Sequence, residues 1–325
     1  MPKSRLDVIT IGDCTLDHYL KLDEGLLLKG SGSRSGRLVL AYSQKTPVSE
    51  FLFFPGGNAL NTAVGFSRLG LKTAIHTYLG AGHDGEYLYD RILKEKVDPR
   101  FVVRSKDLET DKSVILVTHG DRTVLSFHSQ KPYRLPSMRA SWLYLTSLGA
   151  GYETLYQQVS AFIKKARVRL AYNPGSRQLY DSIASVRRMV ATCDLLFVNL
   201  EEAQVITGKK AKDLKLQLAS LHRLGAKKII VTLGPRGASC FDGTKFWRVG
   251  AFPARRVDAT GAGDSFAAGT CAALIRRRPI QEAVLWGSVN AASEISQVGV
   301  QNGLLSRARI ELQLRRHPSF RARSL

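Results

Sequence analysis

The chain has 325 residues, 44% of them hydrophobic and 23% charged, a balance that fits a soluble globular protein able to bury roughly three-quarters of its unfolded surface. Its 48 Lys plus Arg against 27 Asp plus Glu give a formal net charge of +21, enough to attract polyanions without specificity. The bases are dispersed in short groups such as Lys164–Lys165, Lys227–Lys228 and Arg276–Arg278, so a solvated basic surface is expected rather than specific nucleic-acid recognition.

Leu6–Ile11 is an apolar run ending in Gly12-Asp13, which predicts the first strand of a parallel sheet and is too short for a signal peptide. Asp17 follows. Ligands of open α/β sheets bind outside the carboxyl ends of strands, so Asp17 is a candidate ligand-binding residue, with a turn aspartate as the alternative. Lys29–Arg37 is rich in Gly, Ser and bases and reads as a loop, while Arg37–Tyr42 and Ser49–Phe54 predict two short strands. Such a pair protruding from an α/β sheet would make a lid. The longest uncharged stretch, between Glu50 and Arg68, contains Pro55, Gly56, Gly57, Asn58 and Asn61, so it is no bilayer helix. Asn58 or a neighbour suits a helix N-cap there, Gly70 suits the C-cap, and Asn61 in the first turn offers both a donor and an acceptor to hydroxyls.

The middle of the chain alternates as a doubly wound fold should. Strands are predicted at Thr73–Tyr78, Phe101–Arg104, Val114–Thr118 and Thr123–Phe127, the last two as a hairpin through Gly120-Asp121. Further strands are predicted at Trp142–Leu145, Val168–Ala171, Leu195–Val198 and Lys227–Leu233, with helices near 82–96, 152–165 and 181–190. Asn199 and Glu202 follow a strand and lie three apart. An amide and a carboxylate so placed suit a Mg²⁺–water–phosphate network, or else an N-capped helix with an acidic first turn. Gly234-Pro235-Arg236-Gly237 is a turn, and Phe241-Asp242-Gly243-Thr244 reads as a hairpin. Cys14, Cys193, Cys240 and Cys271 have no metal-binding spacing and read as reduced core residues of a cytoplasmic protein.

The most informative stretch is 257–278. Asp258, Thr260, Gly261, Ala262, Gly263 and Asp264 precede a run of small and apolar residues from Phe266 that predicts a buried helix. The glycines allow a tight turn into that helix, whose first amides point outward and suit an anion. Asp264 at the same place supplies a carboxylate beside the anion hole, as phosphoryl transfer to a hydroxyl requires. Gln281–Ser296 predicts another helix.

The 258–264 string resembles the C-terminal signature of the ribokinase-like (PfkB) family of sugar and nucleoside kinases, Asp-Thr-Thr-Gly-Ala-Gly-Asp, with Ala259 in place of the first threonine. Gly56-Gly57-Asn58 with Asn61 is similar to the family's N-terminal signature, some 200 residues earlier and in family order. The resemblance, running from about Leu6 to Gly303, implies an α/β ribokinase-like three-layer fold, one domain over 1–325, with a central, mainly parallel sheet and a small β-sheet lid built from segments near 20–55 and 101–130. It implies ATP-dependent transfer of the γ-phosphoryl group to a hydroxyl of a sugar or sugar-containing molecule. Asp264 would be the base, and the amides of Gly261, Ala262 and Gly263 the anion hole. Asp17, Gly57 and Asn61 would hold the acceptor. Asn199, Thr232, Gly234, Gly237 and Asn290 would line the ATP site, with Glu202 organising Mg²⁺ through water and Asp258 and Thr260 as candidate K⁺ ligands. The lid is also a candidate surface for a homodimer. The alternatives are an adenosine-type nucleoside kinase and a kinase-derived binding protein without activity; no membrane or specific nucleic-acid partner is expected.

Overall fold

Leu6–Ile11 forms a strand with neighbours on both sides, β1 of a large sheet. The computed structural model describes residues 5–22, 26–29, 36–118, 121–209 and 213–325. After β1 come β2 (Thr15–Leu22), β3 (Leu26–Lys29), β4 (Gly36–Val39), β5 (Val48–Gly56), α1 (Asn58–Arg68), β6 (Thr73–Gly80), α2 (His83–Lys94), β7 (Asp98–Ser105), β8 (Asp111–Thr118) and β9 (Asp121–Phe127). The chain continues through β10 (Ala140–Leu145), α3 (Glu153–Ala166), β11 (Arg169–Tyr172), α4 (Ser176–Asp181), α5 (Ile183–Val190), β12 (Leu195–Asn199), α6 (Leu200–Thr207), α7 (Leu214–Arg223) and β13 (Lys228–Thr232). It ends with β14 (Ala238–Phe241), β15 (Phe246–Val249), α8 (Ala262–Ile275), α9 (Ile280–Glu294), α10 (Arg307–Arg316) and β16 (Arg323–Ser324).

The large sheet has the order β16-β15-β14-β13-β12-β11-β10-β1-β6-β7, parallel from β13 to β7 and antiparallel beyond β13. Its central strands β1, β6, β10, β12 and β13 are buried and largely apolar on both faces, as a sheet covered on both sides requires. Ile9, Leu143, Leu196 and Val231 point to one core with side chains of α3, α5, α6 and α7. Val8, Tyr144, Phe197 and Ile230 point to the other, with Phe66 of α1 and side chains of α8, α9 and α10. Helices thus cover both faces in three layers. Strand order reverses at β1, which lies between β6 and β10, and this opens a crevice at its carboxyl end.

A second sheet, order β5-β2-β8-β9, stands on that crevice: β2 begins just beyond the end of β1, and β5 runs directly into α1. Strands β3 and β4 pair separately. Asp17 therefore sits inside strand β2, not in a turn after β1, because the chain re-enters a sheet within four residues. The small sheet draws on 15–22, 48–56 and 111–127; the 101–104 segment belongs to β7 of the large sheet. Of the expected 29–37 loop, Lys29 closes β3 and Gly36-Arg37 open β4, with 30–35 outside the described residues, as is Gly120 of the β8–β9 hairpin. The strand expected at 37–42 ends at Val39. The helix expected at 181–190 is two, broken at Ser182, whose hydroxyl caps α5 by accepting from the Ser185 amide. The 241–244 hairpin lies at the amino end of β13, since Ile229 pairs with Phe241, so it is remote from the crevice. Gly70, at φ 78°, closes α1 with Gly70 N–H to Ser67 O and Leu71 N–H to Phe66 O, a Schellman ending.

Candidate active site

Two helix starts meet in the crevice. The first is that of α1, whose N-cap Gly57 has φ 90°; a Cβ there would lie 2.4 Å from the Asp13 carbonyl, so only glycine lets the chain press against the β1–β2 link. The second is that of α8, whose N-cap Gly261 is left-handed at φ 75°. Asp258 braces this turn: its Oδ1 accepts from the Thr260 amide (2.8 Å) and hydroxyl (2.6 Å), and its Oδ2 from the Gly299 amide (3.3 Å). Of the expected anion-hole amides, that of Ala262 turns toward Ala259 O at 3.4 Å. The Gly263 and Asp264 amides stand in the first turn, where a helix provides no acceptor, and a Cβ added at Gly263 meets nothing within 4 Å.

Packing fixes the two helices relative to each other. A Cβ on Gly65 would lie 2.7 Å from the Ala268 Cβ, so α1 and α8 touch almost backbone to backbone. Asn61 and Asp264 lie one turn before that contact on the same faces. Asn61 Nδ2 donates to Asp264 Oδ2 at 2.9 Å. Burial pushes the Asp264 carboxyl up to about 7; the Asn61 hydrogen bond opposes this and the Asp17 charge adds to it. Asp17 is buried on β2, accepts from the Thr15 hydroxyl at 2.7 Å, and is likewise raised by burial. It needs Gly56 opposite, where a Cβ would fall 2.0 Å from its Oδ2.

A cavity of about 570 Å³ joins these groups. Its wall follows the carboxyl ends of successive strands: Asp13 after β1, Ser147 after β10, Asn173 after β11, Asn199 at the end of β12 and Thr232 at the end of β13. Adjacent strands are about 4.8 Å apart, so the cavity runs on the order of 19 Å from β1 to β13. Asp17, Gly57 and Asn61 line the β1 end; Asn199, Glu202 and Thr232 line the β13 end; Thr260, Gly261, Gly263 and Asp264 line it as well. The Asn199–Glu202 pair is a reciprocal cap, Glu202 N–H to Asn199 Oδ1 at 2.9 Å and Asn199 N–H to Glu202 Oε2 at 2.8 Å. Both expected uses of the pair are thus compatible, because the cap leaves Asn199 Nδ2 and Glu202 Oε1 for other partners. Gly234 and Gly237 shape the turn after β13 at φ 61° and 82° but do not line the cavity, and Arg236 between them is exposed. Asn290, expected beside the adenine, is instead fully buried behind α8: its Nδ2 donates to Ser265 O (2.8 Å) and its Oδ1 accepts from Leu305 N (2.9 Å).

Several residues here were not singled out from sequence. Asp13, Asp111 and His128 place donor atoms within 4.8 Å of one another at the β1 end. The Lys131 ammonium already holds Asp111 Oδ2, and both of those residues are buried. His128 Nδ1 lies 3.1 Å from Asp111 and 3.5 Å from Asp13, and the Asp111 contact raises its pKa. Asp13 is raised to about 6 by burial. The Asp in Gly12-Asp13 was a visible signal; His128 and Lys131 offered none, since only the fold brings them to β1.

Residues 35–307 match the pfkB family carbohydrate kinase profile. The chain is 22% identical over 304 residues to a nucleoside kinase of Methanothermobacter thermautotrophicus, covering 92% of each. It is 24% identical over 263 residues to a ribokinase of Haemophilus influenzae, covering 78% of this chain and 84% of that one. Its fold superposes on Arabidopsis thaliana ribokinase complexed with ribose and ATP with a TM-score of 0.80 at 20% identity, over 96% of this chain and 99% of the other. With the match spanning most of its length, the chain belongs to the pfkB family of carbohydrate kinases.

Proposed function

We propose that the chain moves the γ-phosphoryl group of ATP to a hydroxyl of a neutral sugar or nucleoside, with Asp264 as general base. The observation that carries this reading is the buried Asp264 carboxyl, hydrogen-bonded to Asn61 at the amide-rich start of α8 and open to a cavity long enough for two substrates. The acceptor lies at the β1 end, held by Asp17, Asn61 and the Gly57 backbone. ATP lies toward β12 and β13, along Asn199, Thr232 and the turn of Gly234 and Gly237. Asp264 takes the hydroxyl proton as the oxygen bonds to phosphorus and the bond to ADP breaks; the first-turn amides of Gly263 and Asp264 receive the charge of the moving group.

Magnesium fits the spare Glu202 oxygen, which would hold it through water, and it would neutralise phosphate charge, while the spare Asn199 Nδ2 would donate to a phosphate oxygen. Potassium fits the Asp258–Thr260 turn, where a carboxylate already gathers loop groups at the base of α8.

The charge of the acceptor end favours a neutral substrate. Asp13, Asp17 and Asp264 line it against a single basic side chain there, His128, whereas the cavity's one arginine among the described residues, Arg177, lies near β11 and pairs with Asp181. Ile115 and Val124 give the same end an apolar wall that suits a nucleoside base, while no side chain of 37–54 reaches the cavity lining. A panel of pentoses, hexoses, sugar acids, sugar phosphates and nucleosides, read as acceptor-dependent ADP formation, tests both points. Neutral acceptors are expected to exceed anionic ones by about a hundredfold in kcat/KM, the equivalent of one or two unpaired charged contacts. ADP formation that no acceptor stimulates would refute the kinase reading, and preference for sugar phosphates would refute the acceptor class.

The small sheet supports a homodimer: its face away from the cavity exposes Phe51, Phe53, Leu125 and Phe127, a continuous apolar surface that a second copy would cover. A cytoplasmic location is supported by four buried, unbridged cysteines. Among the described residues no helix is long and apolar enough to cross a membrane.

A further inference from the structure

Gln301 lies outside the cavity lining and is 2% exposed, yet it ties α2 and the end of β5 to Asn61 of α1, which does line the cavity. Its Oε1 accepts from Arg91 Nε of α2 at 2.9 Å. Its Nε2 donates to Pro55 O, at the end of β5, at 3.2 Å, and to Asn61 Oδ1 at 3.1 Å. We propose that Gln301 is a positioning residue for phosphoryl transfer, fixing the direction of the Asn61 amide so that an N–H, and not a carbonyl, faces the Asp264 carboxylate. The proposal rests on Asp264 being the base.

The direction is forced from both ends. A guanidinium only donates and a backbone carbonyl only accepts. Arg91 therefore faces the oxygen of Gln301, and Pro55 its nitrogen. With Gln301 so oriented, Asn61 turns its oxygen to Gln301 and its Nδ2 to Asp264 Oδ2, 2.9 Å away. An asparagine amide fits the same space either way round, and here both of its ends are held: Asp264 accepts from Nδ2 and Gln301 donates to Oδ1. The upstream end is itself anchored: Arg91 pairs with Glu95 at 3.0 Å, and Arg68 holds Glu95 through Nε (2.9 Å) and Nη2 (2.7 Å). Arg68 Nη1 also donates to the Gln301 carbonyl at 2.7 Å, so main chain and side chain are both held.

The consequence is chemical. Besides Asn61, Asp264 feels the charge of Asp17 from β2. Glu294 of α9, pushed up to about 8 by burial, and the Tyr144 hydroxyl of β10, raised by burial, both feel the Asp264 charge and are still protonated when it ionises. The Asp17 charge disfavours ionised Asp264, as burial does. The Asn61 N–H favours the ionised form, which is the one that accepts a proton. Reversing the Asn61 amide would set its oxygen against the carboxylate and hold the base protonated at neutral pH.

Gln301→Met and Gln301→Glu test this. Methionine removes both ends of the amide. Glutamate keeps the shape and the Arg91 contact but offers Asn61 a second acceptor, so the Asn61 amide must turn over. In both variants the acid limb of the kcat–pH profile should move up by about one unit, more in Gln301→Glu, with kcat at pH 7 falling about tenfold and recovering at higher pH. The KM for ATP should stay within about twofold, since neither change reaches the nucleotide end. The Asp264 carboxyl can also be titrated directly by ¹³C NMR, assigned against Asp264→Asn; it should rise in both variants without any turnover. Should Gln301→Met fail to fold, the isosteric Gln301→Glu decides. An unmoved Asp264 titration in folded Gln301→Glu overturns the proposal, as does a loss of stability with an unshifted profile. If no acceptor is ever phosphorylated, the kinase reading fails, and the carboxyl titration still decides whether Gln301 sets the Asn61 amide.

Discussion

As the proposed base, Asp264 has to be both buried and ionised, and the two demands conflict. In the unfolded chain its carboxyl loses its proton near pH 4, whereas in the fold it does so near 7. Between those values folding takes up a proton, so this residue makes stability fall as pH rises from about 4 to about 7, with the full cost present above 7. Asp264→Asn removes that cost along with the base. The variant should melt above the parent at pH 8, with the difference closing toward pH 4. It should bind ATP as well or better, because a negative charge beside the phosphates is gone, and should lose kcat by at least about a hundredfold. Thermal melts across pH together with turnover at saturating substrates check both arms. A variant of near-normal kcat would move the base to another residue, Asp17 first.

At the scale of elements, the geometry of the proposed base depends on how closely α1 and α8 approach. Gly65 and Ala268 set that distance one turn below the Asn61–Asp264 contact. A similar fit holds α9 against α8, where a Cβ on Gly269 would lie 2.8 Å from Trp286 O. Gly65→Leu should force α1 away from α8, costing about 1–3 kcal/mol of stability as overpacking does. Because the hinge of that displacement carries Asn61, kcat should drop about tenfold or more, and a displacement of about 1 Å is enough for such a loss. Denaturant unfolding and steady-state kinetics measure the two effects. A variant that loses stability but keeps kcat would show that the helix starts are held by their own loops instead. The α6 cap shows a different economy: Asn199 and Glu202 satisfy the first amides of their helix with one atom each and keep the other for the cavity.

At the scale of the whole molecule, one sheet and its strand order lay out the cavity. The switch at β1 opens one end, where the proposed acceptor would lie, and the march from β10 to β13 carries the cavity to the end proposed for the nucleotide. The small sheet turns Asp17, Ser113, Ile115, Val124 and Ser126 to the cavity and leaves Phe51, Phe53, Leu125 and Phe127 outward. In Phe51 and Leu125 more than half of the accessible surface stays exposed, at 59% and 55%, and the proposed dimer would cover it. The protein should therefore run as a dimer by light scattering, and the double variant Phe51→Glu with Leu125→Glu should run as a monomer. A parent that is monomeric at tens of micromolar would refute the dimer.

The sequence alone determined most of the frame, because its signals are local. The apolar runs at Leu6–Ile11, Leu195–Val198 and Lys227–Leu233 can only be strands buried on both faces, and each is one. Gly57, Gly261 and Asp264 carry their meaning in short strings, since a left-handed glycine opening a helix is a property of neighbouring residues. What only the tertiary structure decided are relations across long separations. Asp17 belongs to a strand because β5 and β8, distant in sequence, pair with β2. Asn290 is a buried brace because both ends of its amide meet main chain from other segments. His128, Lys131 and Gln301 have no motif at all. Their places follow from which hydrogen bonds remain to be satisfied once the helices and sheets have packed, and no local pattern in the chain records that.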